Sequence, residues 1–309
     1  MRQVLILILI LILSGCVTPG LQLPFFGPPT TEYENDVIII QQLQALPQEA
    51  SPGQTIQVVA WIKNLGRTPV NNIEVELYDY CEGTWTFKKV GGGSPCGTTK
   101  EKKTCVKVNL QPYEAKRIVW ELTASDVKFR TTCDFKVRVI YNYETTSYTT
   151  IKFINYQEMQ RQLAEGTFKP GAGEIVLGEG PVKPILTTQE EQPIPVGEGG
   201  QQMMTLVLTL ENRGSGFVED NQIDIGEIKF SSQSGYPEVK GILNKLNDGC
   251  KKTWGKTVTF IGKSTPPLIC QDTPTISTPQ PEASISIQTT VSYTYEFRSS
   301  IPVTIQPPI

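Results

Sequence analysis

Apolar and polar residues are ordered in two ways along this chain. Ten consecutive apolar residues run from Val4 to Leu13, preceded by a single charge at Arg2. From Asp36 onward the pattern has period two. Val37 to Ile40 predicts a first strand, and Gln54 to Asn64 a second with Ile56, Val58, Ala60 and Ile62 on one face. After a turn at Asn64-Leu-Gly-Arg-Thr-Pro69, Ile73, Val75 and Leu77 alternate with Glu74 and Glu76, the signature of an antiparallel strand with one face buried. A 24-residue Gly- and Lys-rich loop, 81–104, precedes Val106 to Leu110. Ile118, Trp120 and Leu122 then alternate, followed by Phe135, Val137, Val139, Tyr141 and Tyr143, and Thr146 to Ile154 closes the series. Seven short strands in about 120 residues, separated by turn signals, predict an all-β fold built as a β-sandwich.

The second half repeats the first. Val-Val-Ala-Trp-Ile-Lys-Asn64-Leu-Gly66 aligns with Leu-Val-Leu-Thr-Leu-Glu-Asn212-Arg-Gly214 at an offset of 148, and Tyr143-Glu144 aligns with Tyr295-Glu296 at 152. Similar offsets at both ends argue for two copies of one domain in tandem. The match of Cys81-Glu-Gly-Thr-Trp85 to Cys250-Lys-Lys-Thr-Trp254 has an offset of 169 and requires an insertion before it. Between the copies, Asn155 caps a short helix that places Met159 and Leu163 on one face and stops at Gly166. The Gly-rich stretch to Gly180 reads as a linker about which the domains pivot unless the helix docks. The expected boundaries are therefore 1–15, 16–35, 36–154, 155–180 and 181–309.

The opening run has the three parts of a secretory signal: a positive start, an apolar core and small residues before a cut site. As a helix, ten residues rise about 15 Å against roughly 30 Å of hydrocarbon, too short to span a bilayer. Its ending, Leu13-Ser-Gly-Cys16, resembles the lipobox of prokaryotic lipoproteins. The resemblance implies cleavage before Cys16, a lipid on that cysteine and a protein held on the outer face of the cell membrane. Residues 16–35, with four prolines, read as a tether.

Of seven cysteines, removing Cys16 leaves six. Cys81, Cys96, Cys105 and Cys133 fall in the first half and Cys250 and Cys270 in the second, so each half can close its own disulfides in an oxidising compartment. If Cys81 ends the third strand and Cys133 begins the sixth, these two meet and leave Cys96 with Cys105; the rival pairing joins Cys81 to Cys105, as Cys250 to Cys270. No C-x2-4-C knuckle and no histidine support a zinc site.

One family resemblance covers much of the chain. Pro52-Gly-Gln54, the following Asn64-Leu-Gly66, Ile73-Glu-Val-Glu-Leu77 and Leu110-Gln-Pro112 resemble the CARDB type of immunoglobulin-like domain, well over 36–154 and partially over 181–309, where the middle is longer. That resemblance implies two immunoglobulin-like antiparallel sandwiches on a bacterial or archaeal surface protein, a setting associated with adhesion. The matching motifs are structural, and no catalytic residue carries over.

Catalytic patterns are not found in the sequence. With no histidine the commonest general base is missing, and no G-x-S-x-G elbow is present. Gly255-Lys-Thr257 and Gly262-Lys-Ser264 lack the earlier glycine of a phosphate loop, Gly171-Ala-Gly173 has Val176 in place of a third glycine, and no calcium loop occurs. A net charge of −3 gives no reason to expect nucleic acid. The expectation is a non-enzymatic protein without a cofactor, either an adhesive or structural surface module contacting protein or glycan, or an accessory lipoprotein of an envelope machine presenting a strand edge. The candidate binding loops are 81–104, with Trp85, Lys88, Lys89, Lys102 and Lys103, and 231–267, with Lys251, Lys252 and Trp254. Trp61 and Trp120, on strands, are expected in or beside the core.

Overall fold

A computed structural model of the chain describes residues 33–97, 103–197, 204–232, 237–272 and 281–307. Cys16 and its surroundings, Lys102, and the segments 198–203 and 273–280 lie outside the described residues. Asn35–Ile309 form one unit, to which everything below refers. It is mostly antiparallel β-structure.

The first half contributes β1 (Ile38–Leu46), β2 (Glu49–Ala50), β3 (Thr55–Asn64), β4 (Val70–Asp79), β5 (Trp85–Gly91), β6 (Ser94–Pro95), β7 (Cys105–Leu110), β8 (Ala115–Ala124) and β9 (Thr131–Asn155). The capped helix follows at Tyr156–Glu165: Asn155 accepts from the Gln157 N–H, and Gly166 ends it in the left-handed region at φ 68°. The second half adds β10 (Glu174–Leu177), β11 (Val182–Thr188), β12 (Ile194–Val196), β13 (Met204–Asn212), β14 (Phe217–Val218), β15 (Gln222–Asp224), β16 (Ile228–Ser231), β17 (Thr257–Thr259), β18 (Leu268–Asp272) and β19 (Glu282–Ile305).

Two very long strands organise all of this. β9 and β19 pair antiparallel without interruption from Thr131↔Ile305 to Ile154↔Glu282. On this ribbon the odd-numbered side chains face inward along the whole length: Phe135, Val137, Val139 and Tyr141, then Ile151 and Phe153 on β9, and Ile285, Ile287, Tyr293, Tyr295 and Val303 on β19 are all buried. At one end a four-stranded sheet, β1-β3-β8-β5, lies over that face, and Trp85 of β5 meets Phe135 of β9 edge-on with ring centroids 5.3 Å apart. At the other end the three-stranded sheet β11-β13-β18 takes that place, and Thr149 of β9 donates its hydroxyl to the Leu186 carbonyl of β11. β4 pairs with the first part of β9, whereas β16 pairs with the first part of β19 and β14 with its middle.

The chain passes between the two ends at the waist of the ribbon, near Asn142↔Thr294. Residues 36–141 and 297–307 build one lobe, and residues 145–291 build the other. The repeat read from the sequence is thereby interleaved. Each copy's long strand begins in its own lobe and ends as the closing strand of the other lobe. An offset of 152 maps Tyr141 onto Tyr293 and Tyr143 onto Tyr295, and the observed pairs Tyr141↔Tyr295 and Tyr143↔Tyr293 exchange under that mapping. The waist thus has internal two-fold character.

The repeated Asn-x-Gly turns sit at this waist and do the same work twice. Asn64 accepts from the Gly66 N–H at 2.8 Å and donates to the Thr68 carbonyl at 2.9 Å. Asn212 accepts from the Gly214 N–H at 3.1 Å and donates to the Gly216 carbonyl at 2.8 Å. Buried amides that satisfy both an N–H and a C=O of a tight turn replace the hydrogen bonds a strand would have made. Each turn is then held by a carboxylate from the other lobe. Asp36, just before β1, accepts from the Ser215 N–H at 3.1 Å and also from the Ser215 hydroxyl, and Glu179, just before β11, accepts from the Arg67 N–H at 2.9 Å.

Several elements differ from the sequence expectation. Segments 135–143 and 146–154 form one strand, because no turn residue separates them and the odd-numbered face stays inward throughout. Within the loop expected at 81–104, β5 pairs with β8, and within the stretch read as linker, β10 pairs with β9. A helix at Pro237–Asn244 continues through a wider π-type turn at Lys245–Cys250 to Lys251–Trp254, inside a segment read as loop.

Candidate functional site

The cysteines fix the two loops singled out in the sequence. Cys81 joins Cys133, Cys96 joins Cys105 and Cys250 joins Cys270. The first bridge ties the start of the 81–104 segment to the start of β9, and the third ties the helical segment to β18. Such bonds belong to an oxidising, extracytoplasmic setting. Glu74 lies close to Cys96 and Cys105, but both sulfurs are spent in a disulfide and offer no thiolate to a metal.

Trp85 does not present itself to a ligand. Its side chain is 1% exposed against Phe135, because β5 alternates and turns it into the core. Lys88 and Lys89 do reach solvent from the same strand, Lys89 pairing with Glu121 at 3.2 Å. Lys103 is held at 2.8 Å by Glu82 and lies over the Tyr80 ring; hydrogen bonding to Glu82 and then to the Tyr80 hydroxyl pushes its pKa up to about 12. The lysines of this loop are therefore partly spoken for by neighbouring strands.

In the second loop Trp254 is half-buried, donates its indole N–H to the Ile269 carbonyl at 2.9 Å and meets Phe230 edge-on at 6.2 Å. Lys251 stands 5.9 Å from the centroid of the same Phe230 ring, and burial holds its pKa below the usual lysine value, with Asp248 opposing and Lys229 adding to the shift. Lys252 is exposed. The helix organises this group: Val239, Ile242, Leu246 and Cys250 are buried at spacings of three and four. That spacing, with Pro237 at the first helical position, was available in the sequence. Trp61 is half-buried, and Trp120 is fully buried, donating to the Thr104 carbonyl at 2.6 Å.

An open site lies elsewhere, on the outer face of the ribbon at the waist. It is a cleft of about 840 Å³ whose floor is Asn142 and Glu144 of β9 with Ser292 and Thr294 of β19. Thr294 donates to Asn142 at 2.8 Å and Ser292 to Glu144 at 3.3 Å. One wall is Thr68–Asn71, the end of the turn after β3 and the first residues of β4; the opposite wall is β15 with Asp224 and, just beyond it, Glu227. Asp224 is fixed by accepting from the Gly226 N–H at 2.8 Å, and β15 is braced by β17. Tyr143 is half-buried at the side of the cleft, its hydroxyl 3.4 Å from that of Thr68, and burial raises its pKa. Sequence reasoning did not find this site, because its residues come from four separate stretches that only the interleaving of the halves brings together.

Beside the cleft, the outer face is closed by stacked charges and rings. Arg298 lies 4.5 Å from the centroid of Phe217 and 5.5 Å from that of Tyr78, and Arg138 covers Tyr78 at 5.3 Å. Glu296 and Glu76 pair with these arginines at 2.6 and 2.7 Å. This network stitches β4, β9, β19 and β14 together across their solvent side.

No family model matches the chain, and no curated protein does. Among solved structures, AvmM, described as catalysing macrocyclization in alchivemycin A biosynthesis, is similar at 16% identity over 37% of this chain and 80% of that one, with a TM-score of 0.22. The collagen adhesin CNA from S. aureus is similar at 9% identity over 91% of this chain and 96% of that one, with a TM-score of 0.14. At such scores neither likeness carries an argument about fold or function.

Proposed function

We propose that this chain is a non-enzymatic, lipid-anchored surface protein of two CARDB-type immunoglobulin-like sandwiches that acts by binding. The observation that carries the reading is the waist cleft, an open polar site whose two walls belong to different lobes held in fixed register by the ribbon. Binding sites of this kind commonly form between packed units, with a few polar groups placed on rigid elements. The disulfides agree with an extracytoplasmic position, and no helix among the described residues is long and apolar enough to cross a membrane. Attachment then rests on Cys16.

Replacing Cys16 with Ser is expected to leave the body folded and release it from membranes into the soluble fraction. Persistent membrane association of the variant refutes the anchor. Binding of the ectodomain to intact cells, measured directly, tests the interaction role. A second reading, an accessory lipoprotein of an envelope machine, is favoured by one observation: among the described residues β18 is paired with β13 on one side only, and Ile269 on it is 53% exposed. Gentle crosslinking in native membranes distinguishes the two, since only the accessory role requires a stoichiometric membrane partner.

A further inference from the structure

Resting on the interaction reading, we propose that the waist cleft takes a hydroxyl-rich ligand bearing a positive amine, namely an amino-sugar unit of a glycan. Three carboxylates, Glu144, Asp224 and Glu227, border the cleft, and no lysine or arginine is found among its described lining residues. An anionic sugar is repelled by that arrangement and a cation attracted.

The remaining groups define what else the ligand must carry. On the floor, Thr294 orients Asn142 by donating to its side-chain oxygen, leaving the amide NH2 as the group to offer. The Ser292 and Thr294 hydroxyls, whose protons go to Glu144 and Asn142, are left to accept from a ligand, as are the carboxylates. A bare cation or a simple lysine side chain leaves most of these groups without partners. The half-buried ring of Tyr143 adds an apolar edge suited to the C–H face of a sugar. A volume of about 840 Å³ falls within the range of small-molecule sites.

The walls are built to stay in place. Glu179 holds the Arg67 N–H, one residue before the Thr68–Asn71 wall, and so locks that wall from the opposite lobe. The ribbon beneath is continuously paired through Asn142↔Thr294 and Glu144↔Ser292. Little ordering is left to be done on binding, which favours a weakly hydrophobic ligand.

The test is titration calorimetry on the full chain in detergent with tetramers of glucosamine, N-acetylglucosamine and galacturonate, and with tetralysine. Expected are binding of the glucosamine tetramer, at least tenfold weaker binding of the N-acetylated one, and none of galacturonate. Glu144→Gln with Glu227→Gln is expected to weaken the amine-bearing ligand at least tenfold while the unfolding temperature stays put; Asp224 is left alone because it caps its turn. Equal binding of the neutral tetramer, equal binding of tetralysine, or no effect of the double variant overturns the proposal. A chain that still binds cells and depends on Cys16 for its address, yet takes no amino sugar, removes this ligand and leaves the interaction reading standing.

Discussion

Trp85 illustrates how a residue's neighbours decide its role. Set among glycines and lysines, it looks like an exposed aromatic; placed on an alternating strand opposite Phe135, it is core. Truncating a fully buried tryptophan removes its packing and leaves a cavity, at a typical cost of about 3–5 kcal/mol. Trp85→Ala is therefore expected to lower the urea midpoint of unfolding by a corresponding amount with no separate effect on ligand affinity in the molecules that remain folded. A variant that binds more weakly at unchanged stability contradicts the buried role. Asn64 and Asn212 make the opposite point. Both were visible as a repeated motif, but only the pairing of each side chain with an N–H and a C=O of its own turn explains why an amide, and not another polar group, stands there.

The strands were readable wherever one face is buried and the other wet. β3, with Ile56, Val58, Ala60 and Ile62 buried, and β4, with Ile73, Val75 and Leu77 buried, follow the alternation, broken only where Val59 and Glu76 on the opposite faces are buried as well. The helix after β9 was equally plain, because its cap and its stop are local chemistry. β5 was hidden because Lys88 and Lys89 interrupt its pattern, and β10 because an edge strand of four residues flanked by glycines buries almost nothing. The cleft was hidden for another reason: register between distant strands is not a local property. The same holds for the links between β1, β11 and the Asn-x-Gly turns. Burial raises the pKa of Asp36, against the lowering effect of its bonds to Ser215 and of the Lys263 charge. A carboxyl with a raised native pKa holds its proton more tightly in the folded state, so its contribution to stability falls as pH rises from the unfolded value through the folded one. Relative to Asp36→Asn, which does not titrate, the native chain is expected to be most favoured below about pH 4, the unfolded carboxyl value, and less so once pH has risen through the raised folded value, read from paired thermal melts. A difference independent of pH overturns this assignment.

At the scale of the whole molecule, the sequence repeat and the folded lobes do not share boundaries. Cutting at the repeat leaves 181–309 with β19 but without β9, its partner along nearly its whole length, and so exposes a long unpaired edge. Residues 144–294, by contrast, contain β9's second half, β10 to β18 and the part of β19 that pairs with them, apart from Tyr295 and Glu296 opposite the two-residue β14. The fragment 144–294 is expected to be a folded monomer by NMR dispersion and gel filtration, whereas 181–309 is expected to aggregate. The reverse outcome means that the ribbon does not decide the folding units. Pairing of this kind also makes the two lobes poor candidates for hinged motion, since two adjacent strands cross the waist in full register.

The interleaving imposes an order on biogenesis. The closing strand of the first lobe, Phe297–Ile305, is made only after the whole second lobe has been synthesised. Until it arrives, one side of the first half of β9 stands open in a chain emerging N-terminus first. For the length of translation and export of some 150 residues, the early half is a sheet waiting for its last member, and whatever escorts the nascent chain across the membrane must keep that edge from finding a neighbour's.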